Sequence, residues 1–142
     1  MIRFSADIEK QLKDEAFRTF PDECCGFLLG KENGEQRVVT EIIIADNSKS
    51  GDKRRRFEIT SAQYMQAERE ADEKELTLLG VYHSHPNHPS IPSEHDRLVA
   101  QPFFSYLIIA VREMEIVSFQ SWRLNDSFHF DEEIFSISAI PI

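Results

Sequence analysis

The sequence predicts an α+β domain, sandwich-like in build, in which a mixed and mostly antiparallel sheet is curled around by helices. Three observations carry this. Residues 7–20 and 60–74 place apolar side chains at helical spacing over an otherwise charged surface. Several short apolar runs bounded by Gly, Pro or Asn read as strands. Two of those runs are joined by Asn33-Gly34, a dipeptide suited to the tight turn of a hairpin, so they lie antiparallel.

In the first helical segment Ile8, Leu12, Ala16 and Phe20 recur every four residues; Ser5 or Asp7 can cap its start and Pro21 closes it. Glu23 to Gly30 follows as a strand buried on both faces, with Glu23 at its entrance. Past the turn, Gln36 to Ala45 returns with Val38, Val39 and Ile42 to Ile44. Residues 46–56 are polar and are expected to form a mobile connection. Phe57 and Ile59 make a short extended piece. Thr60 or Ser61 then caps a helix running to about Lys74, with Tyr64, Met65, Ala67 and Ala71 on its inner face and Glu68, Arg69, Glu70, Asp72 and Glu73 in water.

Leu76 to Tyr82 is an apolar strand that ends on two histidines. A short helix from Ser93 to about Gln101 comes next, then strands over Phe103 to Val111 and Ile116 to Leu124, and a third piece at Phe128 to Phe130. The tail from Glu132 to Ile142 is apolar at Ile134, Phe135, Ile137, Ile140 and Ile142. It could pack on the domain or on a second copy, which leaves a homodimer open.

At 142 residues the chain fits one domain, residues 1–142. Hydrophobic residues make up 41% and charged ones 29%, and no apolar run approaches the ~18–20 residues of a membrane span. The start, Met1 to Asp7, lacks the apolar stretch of a signal peptide, so a cytoplasmic location is expected and a membrane partner is not. A net charge of -9 argues against nucleic-acid binding, which needs a basic face to neutralise phosphates. One local exception, Lys53-Arg54-Arg55-Arg56, reads either as a solvated loop or as a contact for an acidic partner. The only cysteines, Cys24 and Cys25, are adjacent; strand neighbours point to opposite faces, so they read first as packed, reduced thiols, with a catalytic thiol, which needs a base and exposure, as the lesser alternative.

The chemistry concentrates between His83 and Asp96. Two histidines separated by one residue project to the same side of a strand, so His83 and His85 can turn a ring nitrogen to one ion, with Asp96 available as third ligand. Pro86, Pro89 and Pro92 forbid a helix across the intervening loop and fix its course. Three protein ligands leave the fourth corner of a zinc tetrahedron to water, whose pKa falls to about 7, and this is hydrolytic chemistry. Each part has a plainer explanation: Ser93-Glu94-His95-Asp96 would serve as a helix cap, strand histidines are commonly core polar groups, and Glu23 could be a salt-bridge partner. Capping, however, needs neither histidine. His88 and His95 fall outside the ligand set, His95 because it should point elsewhere on its helix.

Together, His83-Ser84-His85-Pro86, Ser93 and Asp96, with the upstream run Pro21-Asp22-Glu23-Cys24-Cys25-Gly26-Phe27-Leu28-Leu29-Gly30, resemble the JAMM, or MPN-plus, metallopeptidases. The resemblance implies an MPN architecture, akin to that of cytidine deaminases, and zinc held by His83, His85 and Asp96. It further implies Glu23 as the acid–base carboxylate and Ser93 as donor to the oxyanion, while Ser84, alternating with the histidines, faces away. The compact chain looks most like the small stand-alone prokaryotic members, some of which act on the C-terminal tail of ubiquitin-like or sulfur-carrier proteins. An extended tail of that kind could add to a sheet edge, and the basic run could steer an acidic carrier. The alternative is a catalytically silent MPN-type interaction module. A nucleobase deaminase fits poorly, because both cysteines here precede the histidines, and no His-Glu-x-x-His helix motif is present.

Overall fold

The computed structural model describes residues 1–54 and 56–138. In chain order these form β1 (Ile2–Ser5), α1 (Ala6–Thr19), β2 (Cys25–Asn33), β3 (Gln36–Ala45), α2 (Ser61–Glu73), β4 (Thr77–Pro86), α3 (Glu94–Val99), β5 (Ser105–Arg112), β6 (Glu115–Leu124), β7 (Phe130–Glu133) and β8 (Phe135–Ser138). The strands make one mixed sheet in the order β7-β6-β5-β4-β2-β3-β1-β8. β2 pairs antiparallel with both β3 and β4, β4 runs parallel to β5, and β5, β6 and β7 are antiparallel in turn. Strand β1 lies parallel to both β3 and β8.

β7 and β8 stand at opposite ends of that order, yet only Ile134 separates them in the chain. The sheet must therefore curl until its ends meet. Three rings mark the closure: Phe4 of β1 lies 6.2 Å from Phe119 of β6 and 6.0 Å from Phe135 of β8. Curling splits the core in two. On one side α1 presents Ile8, Leu12 and Ala16 to Phe4, Leu28 and Leu107. On the other, α2 presents Ala67 and Ala71 to Phe27, Val81 and Tyr106. Leu28 and Leu29, consecutive in β2, are both fully buried on opposite faces, which is why that strand shows no polar alternation. Each such side chain contributes about 1.5–3 kcal/mol of burial free energy.

The helix starts follow the expected chemistry. Ser5 accepts a hydrogen bond from the Ile8 amide at 3.2 Å, and Thr60 with Gln63 forms a reciprocal capping box on α2. Several boundaries differ. β1 was too short for its alternation to register. β4 continues through both histidines to Pro86, placing them inside a strand that is hydrogen-bonded on to β5. β5 begins at Ser105, because Phe103 takes a left-handed φ of 73° and is 78% exposed. Phe128 is likewise left-handed, so the last hairpin strand starts at Phe130. Helix α3 stops at Val99. Met65 is 62% exposed instead of facing inward, since it lies about 200° around the axis from Ala67.

The tail through Ser138 is a strand of the same sheet: Phe135 pairs with Ile2 and Ile137 with Phe4. Ile140 and Ile142 lie outside the described residues. The 46–56 connection, expected to be mobile, is held together by Asn47, whose side chain accepts from the Lys49 and Glu58 amides. Arg55 of the basic run lies outside the described residues, and among them no helix is long and apolar enough to cross a membrane.

Candidate metal centre and its cleft

The register of β2 against β4 assembles the site. Cys25 faces His83 across the ladder, and one step further the Ser84 amide donates to the Cys24 carbonyl at 3.1 Å. The Ser84 hydroxyl oxygen in turn accepts from the Cys24 amide at 2.8 Å, turned away from the histidines as its alternation required. One more step brings Glu23 level with His85. Its backbone is clamped from the other side: the Glu23 amide donates to the Lys53 carbonyl at 2.7 Å, and Asn47 Nδ2 donates to the Glu23 carbonyl at 3.3 Å. Gly26 makes the approach possible, because a Cβ there would lie 2.3 Å from the Ile43 carbonyl oxygen and 2.4 Å from the Tyr82 ring.

His83 and His85 are both buried, with their Nε2 atoms 3.1 Å apart. His83 stacks on Phe57, ring centroids 4.4 Å apart. His85 Nδ1 lies 2.8 Å from the Pro89 carbonyl, which can only accept, so that nitrogen carries a proton and Nε2 is the ring atom that faces the donor triangle. Asp96 Oδ2 sits 3.3 Å from His83 Nε2 and 3.1 Å from His85 Nε2. The same oxygen accepts from the Ser93 amide at 2.9 Å, while Ser93 Oγ accepts from the Asp96 amide at 3.0 Å. The helix cap and the converging carboxylate are thus one side chain.

The three donor atoms form a triangle with edges of 3.1–3.3 Å. Donors about 2.0–2.1 Å from a tetrahedral zinc are separated by about 3.3 Å, so His83, His85 and Asp96 fit that ion. Glu23 belongs to the same cluster: its carboxylate and the two imidazoles offer donor atoms all within 4.8 Å of one another, a group that could hold a metal. Glu23 Oε1 and His83 Nδ1 are buried with no hydrogen-bond partner among the described residues.

Burial acts differently on each group. It pushes the Glu23 carboxyl up to about 9, with the Asp96 charge adding to the shift. It pushes His83 down, so the imidazole is neutral and able to offer a lone pair. On Asp96 burial also pushes upward, but the imidazoles and the Ser93 amide outweigh it and hold that carboxyl well below the usual range. The thiols of Cys24 and Cys25 are raised to about 12 by burial, which makes them poor nucleophiles.

Glu23, His85 and Ser93 line an open cleft of about 600 Å³, with His83 and Asp96 packed behind them. All five residues singled out in the sequence are therefore brought together. His88 and His95 also line this cleft. Arg56 lines it too. A run of four basic residues gave no sign that its last member turns inward, and the one available signal was Phe57, whose aromatic ring beside it had to be buried somewhere.

A family model described as prokaryotic homologs of the JAB domain matches residues 5–125. The chain is 28% identical over 130 residues to the CysO-cysteine peptidase of Mycobacterium tuberculosis, covering 91% of this chain and 86% of that protein. It is 38% identical over 74 residues to the desampylase of Pyrococcus furiosus, covering 52% of this chain and 49% of that protein. Among solved structures, a protein from Desulfitobacterium hafniense superposes with a TM-score of 0.87 at 26% identity, over 99% of this chain and 95% of its own. A JAB1/MPN domain protein from Archaeoglobus fulgidus shares the fold, with a TM-score of 0.63 at 18% identity over 96% and 98% of the two chains. With the family match spanning most of its length, this chain belongs to the prokaryotic homologs of the JAB domain.

Proposed function

We propose that this protein is a zinc-dependent peptidase hydrolysing the peptide or isopeptide bond at the C-terminal tail of a ubiquitin-like or sulfur-carrier protein. The observation that carries the reading is the triangle of His83 Nε2, His85 Nε2 and Asp96 Oδ2 with the buried carboxyl of Glu23 beside it. The substrate class is supported by the relatives named CysO-cysteine peptidase and desampylase.

Zinc held by His83, His85 and Asp96 would supply a Lewis acid for the scissile carbonyl and a water with a pKa near 7. Glu23 performs the proton transfers: it takes a proton from the attacking water and delivers it to the departing amine. The backbone clamps at Lys53 and Asn47 fix where that carboxyl stands. Ser93 donates a hydrogen bond from its hydroxyl to the oxyanion that develops on the scissile carbonyl oxygen. Among the described residues its Oγ accepts from the Asp96 amide and its hydroxyl donates to no acceptor, and the helix cap holds the oxygen in place. A silent interaction module has no need of a buried, converging donor set.

The test is intact-mass analysis of candidate carriers bearing C-terminal extensions, incubated with the zinc-loaded wild type and with Glu23→Gln. Loss of the extension with wild type, and none with a Glu23→Gln protein that still binds one zinc per chain, is expected. Full turnover by Glu23→Gln would remove Glu23 from its role. Failure of the wild type on every carrier would overturn the function.

A further inference from the structure

We propose that Arg56 selects substrates whose leaving group is a free α-amino acid, by binding that residue's α-carboxylate; this rests on the peptidase reading above. Arg56 lines the cleft together with Glu23 and His85. It is held there on both sides. Its carbonyl accepts from Asn47 Nδ2 at 3.1 Å, and the same nitrogen donates to the Glu23 carbonyl, so one amide holds the backbones of Arg56 and Glu23 beside each other. The next residue, Phe57, is buried and stacked on His83.

Among the described residues the guanidinium of Arg56 has no ion pair or hydrogen bond, whereas Arg18, Arg37, Arg97 and Arg123 each face a glutamate. Glu94, the other acidic residue at the cleft, is already engaged by Arg97. The other basic groups lining the cleft are histidines, so among the described residues Arg56 is the one lining group whose positive charge does not depend on pH near neutrality.

The bond cleaved dictates where a carboxylate would fall. Hydrolysis adds water across the C–N bond, the hydroxyl going to the carbonyl carbon and the proton to the departing nitrogen. Glu23 must reach that nitrogen. In an α-amino acid leaving group the carboxylate carbon is two bonds from the nitrogen, which puts it on the Glu23 side of the cleft, where Arg56 stands. A lysine Nζ leaving group carries no charge there. A guanidinium binds a carboxylate through two parallel hydrogen bonds, so the contact selects by geometry as well as by charge.

The experiment uses the full chain and one carrier tail in three forms: extended by a single amino acid as the free acid, by the same residue as the carboxamide, and joined to lysine Nζ. kcat/KM is read by intact mass, and Kd by calorimetry on Glu23→Gln with and without Arg56→Ala. Wild type is expected to favour the acid over the amide by about 10- to 100-fold in kcat/KM. Arg56→Ala abolishes that preference and leaves the Nζ-linked form unchanged, while Arg56→Lys restores part of it. Equal handling of acid and amide by wild type, or an equal loss on all three forms in Arg56→Ala, overturns the proposal. A Kd preference for the acid that needs Arg56, without turnover of any form, would keep the carboxylate site and sink the peptidase reading. Turnover without preference would do the reverse.

Discussion

Asp96 and Ser93 exchange hydrogen bonds in both directions, and the oxygen of Asp96 that receives the Ser93 amide is the one that faces both histidines. One atom thus closes the start of α3 and points into the donor triangle. The two roles can be separated. Asp96→Asn keeps an oxygen for the Ser93 amide but loses the charge, so the fold should survive while zinc affinity drops by more than the roughly 10–100-fold that changes outside a ligand set cost. Ser93→Ala should instead lower stability by about 1 kcal/mol and spare most of the zinc binding. Denaturant melts and zinc titrations check both, and wild-type zinc affinity in Asp96→Asn would remove Asp96 from the set.

Glu23 makes the stability of the metal-free protein depend on pH. Its folded pKa of about 9 lies above the ordinary carboxylate value of 4.5, so the folded state holds this proton more tightly than the unfolded chain. The stability is fully present below about 4.5 and is lost as pH rises toward 9, at up to about 1.4 kcal/mol per pH unit. Asp96 acts oppositely: its depressed pKa contributes stability above the unfolded carboxylate value, lost as pH falls. Urea midpoints of chelator-treated protein should therefore decline from pH 5 to 9, and Glu23→Gln should flatten that slope. An unchanged slope in the variant would assign the decline to other groups.

Ser84 holds the strand ends that carry the site. Removing its hydroxyl leaves the buried Cys24 amide without its acceptor, a cost of about 1–3 kcal/mol. Ser84→Ala should lower the melting temperature and also reduce kcat, because Glu23 is the residue next to that amide. A variant with normal stability and normal kcat would show that the clip is dispensable.

Neither cysteine should react in the folded protein. With both thiols raised to about 12, the thiolate fraction at pH 8 is negligible, so a disulfide-exchange reagent should label neither until denaturant is added. Rapid labelling of native protein would contradict the burial of Cys24 and Cys25.

Much of the site was legible because its parts are local. Side-chain parity along a strand put His83 and His85 on one side and Ser84 on the other. Capping chemistry marked Ser93 and Asp96 and correctly started α1 and α2. The hairpin at Asn33-Gly34 paired β2 with β3 as expected. What failed depended on distant neighbours. Met65 reads as inward from its apolar character, yet α2 covers the sheet with the narrow stripe of Ala67 and Ala71 and leaves Met65 exposed. The strand at Ile2–Ser5 exists because β3 and β8 flank it.

The sequence alone determined which side chains could share an ion, since spacing along one strand and one helix turn is set by backbone geometry within a few residues. Only the tertiary structure decided that Glu23 meets them, that Asn47 ties it to Arg56, and that the sheet closes through Phe4, Phe119 and Phe135. Those contacts join residues far apart in the chain, and they depend on strand register and on the packing of two cores, which no local pattern encodes.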